Sequence, residues 1–262
     1  MSKGELIFIG LGLYDEKDIS VKGLEAARFC DILYAEFYTS TLTGASLSRL
    51  EKHIGKHITV LEREAVEQGK IILDAAQEKR VGFLTAGDTM AATTHIDLRL
   101  RAEKKGIKTR VIHGSSIFTA VPGLLGLQHY KFGRSTTLVF PEKSFFPTSP
   151  YTVVQENLER GLHTLVLLDF NRETNRYMTI AEGVDLLLEM AGNVDSTLID
   201  ENTLMCGVAR AGSPDPMVKA GSAKLLRKID FGPPLHTLVV PGFLHFMEKK
   251  ALETFVGLQG KR

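Results

Sequence analysis

The stretch ELIFIGLGLYDEKDIS, residues 5–20, joins a short apolar run to two glycines one residue apart and then to an acidic loop. The apolar run predicts a buried β-strand. Glycine at the end of a strand often marks a close approach of the backbone to a ligand or to another segment. Ser20 is the predicted N-cap of a helix over VKGLEAARFC. A phosphate, another cofactor and a simple tight turn all fit the glycine pair.

Outward from this stretch, strand-like and helix-like segments alternate as far as residue 140. Regular alternation of this kind predicts a parallel sheet with helices on both faces. PEKSFFPTSP, residues 141–150, then holds three prolines in ten residues and is typical of a linker or an exposed loop. A second set of helices and strands follows it. We therefore predict two α/β domains, residues 1–140 and 141–262.

The bulk composition is that of an ordinary soluble globular protein. The 262 residues are 44% hydrophobic and 24% charged, with a formal net charge of +1. So small a net charge does not favour a general nucleic-acid binder. Cys30 and Cys206 are far apart and form no CxxC pattern, which excludes a zinc ribbon and a disulfide framework. With no signal-peptide pattern and no apolar run long enough to span a membrane, a cytoplasmic location is expected.

The glycine pair only partly matches the dinucleotide fingerprint G-x-G-x-x-G, because position 15 is an aspartate. Glu36 stands where the acid that binds a ribose would be expected. The acidic loop YDEKD would repel a pyrophosphate, however. The loop therefore argues against an NAD site without excluding it. A purely structural turn is also still a possible interpretation of the glycine pair.

Two further loops follow predicted strands. In LTAGDTMAATTH, residues 84–95, Asp88 lies at the carboxyl end of the fourth strand, where it suits a cationic group such as an amine or a sulfonium. The alternative is that Asp88 only N-caps a helix over TMAATT. In VIHGSSIFTA, residues 111–120, Ser115 and Ser116 can present backbone N–H groups, while His113 is interpreted as a packed or hydrogen-bonded histidine rather than a base. The absence of G-x-S-x-G argues against a serine hydrolase.

The sequence lacks the motifs of several other classes of site. The sequence contains no P-loop, no H-E-x-x-H and no Cys/His cluster, and His95 and Asp97 do not share a helix face, so no metal site is predicted. In the second half, Arg210 is either a surface charge or a functional group, and His236 is either a core histidine or a ligand contact. Small and polar residues at the strand ends of both halves predict a ligand cleft between them.

A set of segments together resembles one family. They are FIGLGLYDEKDISVKGLEAA, AEFYTS, LTAGDTMAATTH, YKFGRSTTLVFPE, FFPTSPY, ERGLHTLVLLD, RYMT, ARAGS and VVPGFLHFME. The chain resembles, over nearly its whole length, the tetrapyrrole-methylase-like S-adenosylmethionine methyltransferases. AEFYTS, YKFG and FPTSPY are the more specific segments, and they are similar to the archaeal-type members that modify elongation factor 2.

The resemblance implies S-adenosylmethionine as cofactor, held between the two α/β domains. It implies cofactor contacts at Leu13, Asp88, Ala91, Ser116, Ile117, Leu168, Ala211 and His236. It assigns no metal and no catalytic base. One departure is visible, since Ala86 and Thr89 replace the prolines of the usual Pro-Gly-Asp-Pro loop, which should loosen that loop a little. Ala91 stands where a larger valine is common.

The resemblance also implies a substrate and partners. The expected activity is repeated methylation of the amino group of the modified histidine of elongation factor 2, in diphthamide biosynthesis, by a homodimer without nucleic acid or membrane partners. Phe140–Tyr151 is expected to expose aromatic side chains that shape the entrance for the protein substrate. The alternatives are a tetrapyrrole methyltransferase of the same fold, an NAD-binding oxidoreductase and a binding module without catalysis.

Overall fold

A computed structural model describes residues 4–141, 146–171 and 174–258 of the chain. The chain divides into two compact units, Met1–Ile117 and Phe118–Arg262. The division comes earlier than Phe140, where the sequence placed it. The reason is that the short strand Thr136–Leu138 pairs with Thr164–Leu168 and so belongs to the sheet of the second unit.

The first unit is built on a parallel sheet of five strands. The strands are β1 (Glu5–Gly10), β2 (Ile32–Glu36), β3 (Thr59–Val60), β4 (Arg80–Thr85) and β5 (Lys108–Ile112). Their order is β3-β2-β4-β1-β5, and every pairing is parallel. The carboxyl ends of all five strands therefore lie at one edge of the sheet, which is the edge where open α/β sheets bind ligands.

The β1 strand is buried on both faces, as its unbroken apolar run predicted. Ile7 and Ile9 pack into one hydrophobic cluster, and Leu6 and Phe8 pack into another. Successive side chains of a strand point to opposite faces, so the run contributes to both cores in alternation. The sequence of a strand that is covered on both faces is therefore continuously apolar.

Five helices lie in the part of the first unit that begins at residue 4. They are α1 (Val21–Phe29), α2 (Leu47–Ile54), α3 (Arg63–Gln68), α4 (Lys70–Glu78) and α5 (His95–Lys104). The predicted cap of α1 is confirmed, since Ser20 Oγ accepts from Gly23 N at 3.0 Å. Gly69 adopts φ 66° and separates α3 from α4, so the helical pattern of this stretch forms two helices rather than one.

The second unit contains a mixed sheet. Its strands are β6 (Thr136–Leu138), β7 (Thr164–Leu168), β10 (Leu204–Ala209), β11 (Met217–Ser222) and β12 (His236–Val240), and a separate hairpin comprises β8 (Phe170–Asn171) and β9 (Arg176–Tyr177). The order is β11-β10-β12-β7-β6, and only β6 and β7 are parallel. The sequence missed β11, whose residues Lys219 to Ser222 carry no apolar run.

The helical segments of the second unit complete the fold. They are α6 (Ile117–Leu125, whose first residue closes the first unit), a 3₁₀ turn (His129–Lys131), α7 (Ser149–Glu159), α8 (Ile180–Asn193), α9 (Ala223–Leu226), α10 (Phe246–Ala251) and a π-helical turn (Leu252–Val256). Proline often breaks a helix, but α6 continues through Pro122.

A buried carboxylate joins three segments of the second unit. Glu248, on α10, is fully buried. Its carboxylate accepts hydrogen bonds from Lys131 Nζ at 2.5 Å, from His163 Nε2 and Gln128 N at 2.9 Å, and from His245 N at 2.8 Å. Burial raises the pKa of a carboxyl group, but these donors outweigh it and lower the pKa of Glu248 to about 2. The side chain is therefore a buried anion.

Candidate functional site

Three glycines bring three loops together at the carboxyl edge of the first sheet. Gly10 ends β1, Gly87 follows β4 and Gly114 follows β5. A Cβ added to Gly10 would lie 2.5 Å from the nitrogen of Gly114 and 2.7 Å from the carbonyl oxygen of Gly87. Since β1 lies between β4 and β5 in the sheet, the missing side chain at Gly10 lets the flanking loops meet over its end. The close neighbour of this glycine is therefore backbone.

The second glycine of the pair serves the same junction. Gly12 and Gly87 exchange backbone hydrogen bonds, Gly12 N to Gly87 O at 3.2 Å and Gly87 N to Gly12 O at 2.6 Å. Gly12 has φ 86°, a left-handed conformation that favours glycine, and an added Cβ would lie 2.4 Å from Asp18 Cβ. The pair thus allows close backbone packing, and a phosphate is not needed to explain it.

We expect Gly10→Ala to lower the free energy of unfolding by about 1–3 kcal/mol, because the new methyl group would meet backbone atoms that cannot rotate away. Urea denaturation of the purified variant measures this. Gly123→Ala is the matched control, since nothing lies within 4 Å of its added Cβ. Removing a glycine from inside a helix should stabilise the control by roughly 0.5–1 kcal/mol. A Gly10→Ala protein as stable as the wild type would contradict the close packing of the loops.

The opening loop uses its own backbone donors internally. Asp18 Oδ2 accepts from Leu13 N at 3.2 Å, Tyr14 N at 2.6 Å and Asp15 N at 3.3 Å. Successive N–H groups that converge in this way form the usual cradle for a phosphate. Here a carboxylate of the chain already fills that cradle. Sequence reasoning missed Asp18, although an acid in the loop was itself the available signal.

Glu36, the residue expected to bind a ribose in an NAD site, is fully buried. Its Oε2 accepts from Tyr38 N and Thr39 N, both at 3.0 Å, and its Oε1 lies 3.5 Å from His95 Nε2. Burial lowers the pKa of His95, and the Glu36 carboxylate opposes that shift. Glu36 therefore stabilises the AEFYTS turn from within. The backbone N–H groups of the glycine loop are also occupied, by Asp18. The glycine pair and Glu36, the two features that favoured an oxidoreductase, therefore both have structural roles.

Asp88 connects two of the converging loops. No helix forms over TMAATT, where residues 89–94 are turns and α5 begins at His95, so the N-cap interpretation is wrong. Asp88 Oδ1 instead accepts from Met90 N at 3.0 Å, while Oδ2 accepts from His113 Nδ1 at 2.8 Å and from Gly114 N at 3.2 Å. Its side chain is 12% exposed and that of His113 is 74% exposed. The interpretation of His113 as hydrogen-bonded is confirmed, but the residue is not packed.

Five of the eight expected cofactor contacts belong to these loops. They are Leu13, Asp88, Ala91, Ser116 and Ile117, all of them partly exposed. Leu13 follows the glycine pair, Ala91 N donates to Asp88 O at 3.1 Å, and Ser116 directly precedes α6. The carboxyl ends of parallel strands meet at one edge, and this unit therefore places all five there.

The other three expected contacts lie at one edge of the second sheet. Leu168 is the last residue of β7, Ala211 comes two residues after β10, and His236 is the first residue of β12. Because β12 runs antiparallel to both β7 and β10, its start lies beside their ends. Within this unit the three residues are thus brought to one edge.

The His236 side chain is a core histidine. Its Nδ1 accepts from Ile180 N at 3.4 Å, and its Nε2 donates towards Gly232 O at 3.1 Å and Pro233 O at 3.2 Å. Burial lowers its pKa, which favours the neutral ring. Arg210 is structural too, since its Nη1 donates to Phe231 O at 2.7 Å and to Pro233 O at 2.8 Å. Arg210 is therefore a partly exposed charge with a structural role.

The segment expected at the substrate entrance is only partly described, because residues 142–145, which include Phe145, lie outside the described residues. Phe140 N donates to Asp169 Oδ2 at 3.0 Å, and Phe146 packs against the core of the second unit. Tyr151 is buried, with its hydroxyl donating to Ser196 Oγ at 2.6 Å. For Phe146 and Tyr151, the expectation of exposed aromatics is wrong, since α7 turns Tyr151 into the core.

The chemistry of the expected contacts fits a cationic ligand without phosphate. The eight residues include the carboxylate of Asp88 and five aliphatic side chains, but no lysine or arginine. The backbone cradle that could hold a phosphate is closed by Asp18. S-adenosylmethionine carries a sulfonium and an amino group and has no phosphate, so the donor set suits it. Over the described ranges, no group of three or more metal-ligating side chains occurs, and no helix has the length and hydrophobicity to cross a membrane.

Comparison with known proteins identifies the family. The model of the Tetrapyrrole (Corrin/Porphyrin) Methylases matches residues 5–226. The diphthine synthase of Methanocella arvoryzae is 52% identical over 256 residues, 97% of this chain and 99% of that protein. The chain belongs to the diphthine synthases of the tetrapyrrole methylase family. The diphthine synthase of Methanosphaerula palustris is 54% identical over 97% of this chain and 99% of its own. A crystal structure of diphthine synthase superposes with a TM-score of 0.89 at 42% identity, covering 97% of this chain and 96% of that one.

Proposed function

We propose that the chain transfers methyl groups from S-adenosylmethionine to the amino group of the modified histidine of elongation factor 2, and does so repeatedly. The observation that carries the proposal is the placement of Asp88. Its carboxylate lies at the ligand-binding edge of the parallel sheet, among loops whose phosphate cradle is already filled. Family membership, with relatives that share about half of the residues, supports the same activity.

The cofactor supplies a methyl group that its positive sulfonium sulfur has already activated. The residues of the chain therefore need to bind and orient rather than to activate through a metal. The negative charge of Asp88 attracts the cationic part of the ligand, and the aliphatic side chains of Leu13, Ala91 and Ile117 exclude water. Alignment of two reactants can supply roughly 7–11 kcal/mol of such a barrier. A site with little water also favours the neutral, reactive form of an amine.

The proposed protein substrate can be tested directly by mass spectrometry. Incubation of archaeal elongation factor 2 bearing the modified histidine with the enzyme and S-adenosylmethionine should add mass in steps of one methyl group at that histidine. A factor lacking the modification serves as control and should gain none. Methylation of a tetrapyrrole precursor with none on the factor would instead establish the alternative activity of this fold.

We also propose that the protein works as a homodimer. Phe243, Phe246, Met247 and Phe255 expose more than half of their side-chain surface, and large exposed apolar groups of this kind favour association. Size-exclusion chromatography with light scattering should give twice the mass of the 28.9 kDa chain. A monomer at micromolar concentration would contradict this part of the proposal.

A further inference from the structure

The His113 side chain combines exposure with a fixed orientation. Its Nδ1 lies 2.8 Å from Asp88 Oδ2, and the side chain is 74% exposed. An ionised carboxylate can only accept a hydrogen bond, so Nδ1 carries the proton in this contact. In the neutral ring the other nitrogen, Nε2, then has the free electron pair. The carboxylate thus selects the tautomer whose outward nitrogen can take up a proton.

The carboxylate that orients His113 is itself held in place. Asp88 accepts from Gly114 N at 3.2 Å and from Met90 N at 3.0 Å, so its position is set by the backbone of both loops. These loops follow β4 and β5, which are separated in the sheet by β1. Asp88 and His113 meet across the end of β1 because Gly10 has no side chain there. The pair therefore depends on the packing of the glycine loops and is not a chance surface contact.

His113 lies in the same loop as two of the proposed cofactor contacts. It directly follows β5 and precedes Ser116 and Ile117 by three and four residues. Two buried histidines differ from His113 in their contacts. His95 is 1% exposed and His236 is 9% exposed, and each uses a ring nitrogen for a backbone carbonyl. Unlike these two, His113 leaves most of its ring exposed.

We propose that His113 is the general base of the methyl transfer, oriented by Asp88, although the sequence alone favoured a hydrogen-bonded histidine over a base. This inference rests on the proposed function. The N–H bond of the substrate ammonium breaks, and its proton bonds to Nε2 of His113. The electron pair left on the nitrogen forms the new N–C bond, while the C–S bond breaks with its pair going to sulfur. The imidazolium then releases its proton to solvent, and the same step precedes each further methylation.

Asp88 has two roles under this proposal. Its charge attracts the cationic part of the cofactor, and its Oδ2 holds His113 in the required tautomer. The arrangement of a carboxylate, an imidazole and an outward Nε2 is the one by which histidine serves as a base in hydrolases. General-base catalysis of this kind typically contributes 10²–10⁴-fold to a rate.

Two variants of His113 separate proton transfer from structure. His113→Ala removes the ring, whereas His113→Asn keeps an N–H donor for Asp88 but has no group that takes up a proton. We expect both to lower kcat for methylation of the modified factor by about 10²-fold. The affinity for S-adenosylhomocysteine, measured by calorimetry, should change less than about threefold in His113→Asn, since Asp88 keeps its partner. Added imidazole should restore part of the activity of His113→Ala.

The matched control is His57→Ala. His57 also pairs through Nδ1 with a carboxylate, Glu51 Oε1 at 2.6 Å, and is 82% exposed, but it precedes β3 and so lies at the opposite edge of the parallel sheet. The kcat of His57→Ala should equal that of the wild type.

The outcomes distinguish this inference from the function on which it rests. Wild-type kcat in His113→Asn, or no effect of imidazole on His113→Ala, would overturn the inference alone. A wild-type enzyme that transfers no methyl group to the factor would overturn the proposed function and this inference with it.

Discussion

Asp88→Asn is expected to weaken the binding of S-adenosylhomocysteine by about 2–3 kcal/mol, or roughly 30- to 150-fold. The substitution keeps the size of the side chain and removes its charge. The cationic amino group of the ligand loses its attraction to the carboxylate, and the hydrogen bonds from His113 and Gly114 weaken as well. Isothermal titration calorimetry measures the effect without any need for turnover.

Asp97→Asn provides the comparison. Asp97 is 67% exposed and pairs with Arg101 on the surface of α5, where such a pair is worth little. Its affinity should match that of the wild type. Unchanged affinity in Asp88→Asn would show that the ligand does not use this carboxylate. A separate titration with sinefungin, which carries an amine in place of the sulfonium, tests where the carboxylate acts. A larger loss of affinity in Asp88→Asn for sinefungin than for S-adenosylhomocysteine would place Asp88 near the reacting centre.

Glu248→Gln should be the most destabilising of these substitutions. Breaking a buried ion pair by removal of one partner typically costs about 3–5 kcal/mol. Lys131, whose side chain is 18% exposed, would lose its counter-charge, and His163 and the backbone N–H groups of Gln128 and His245 would lose an ionic acceptor. Urea denaturation at neutral pH measures the change. Glu201→Gln is the control, because Glu201 is 53% exposed and pairs with Lys224 at the surface.

The same carboxylate predicts how stability depends on pH. The pKa of Glu248 is about 2 in the folded protein, below the ordinary value near 4.3 that it has in the unfolded chain. A group with a depressed folded pKa stabilises the fold above its unfolded pKa, and this contribution is lost as the pH falls through the folded value. Between pH 5 and pH 2 the wild type should therefore lose roughly 3 kcal/mol that Glu248→Gln does not lose. Parallel pH profiles for the two proteins would contradict this assignment.

The fold could be predicted where one physical effect dominates a segment. The LIFI run of β1 is buried on both faces, and Ser20 caps α1 as its position before an apolar helix indicated. The predictions fail where the local sequence allows two structures and the less expected one forms. The Ser-x-x-Glu spacing of Ser48 and Glu51 is typical of a capping box. In the structure Ser46 caps α2 instead, with its Oγ accepting from Arg49 N at 3.3 Å, and Glu51 accepts from Ile58 N at 2.9 Å. Gly69 could end or continue a helix, and only tertiary packing decides.

The candidate site could be predicted in part for a topological reason. Parallel strands bring their carboxyl ends to one edge, so the loops that carry Asp88 and Ser116 could be expected at the same edge of the sheet. The pairing of Asp88 with His113 could not be foreseen, because it depends on β1 lying between β4 and β5 and on the size of residue 10. Likewise, no local pattern shows that Asp18 folds back onto Leu13 and Tyr14, which precede it in the loop by five and four positions.

The most direct measurement is a crystal structure of the protein grown with S-adenosylhomocysteine. The ligand is predicted to lie against the loops that follow β1, β4 and β5, with an Asp88 carboxylate oxygen within hydrogen-bonding distance of its amino group and with Leu13 and Ile117 in contact with it. Density for the ligand at any other edge of the two sheets, or a ligand that leaves Asp88 untouched, would contradict the account.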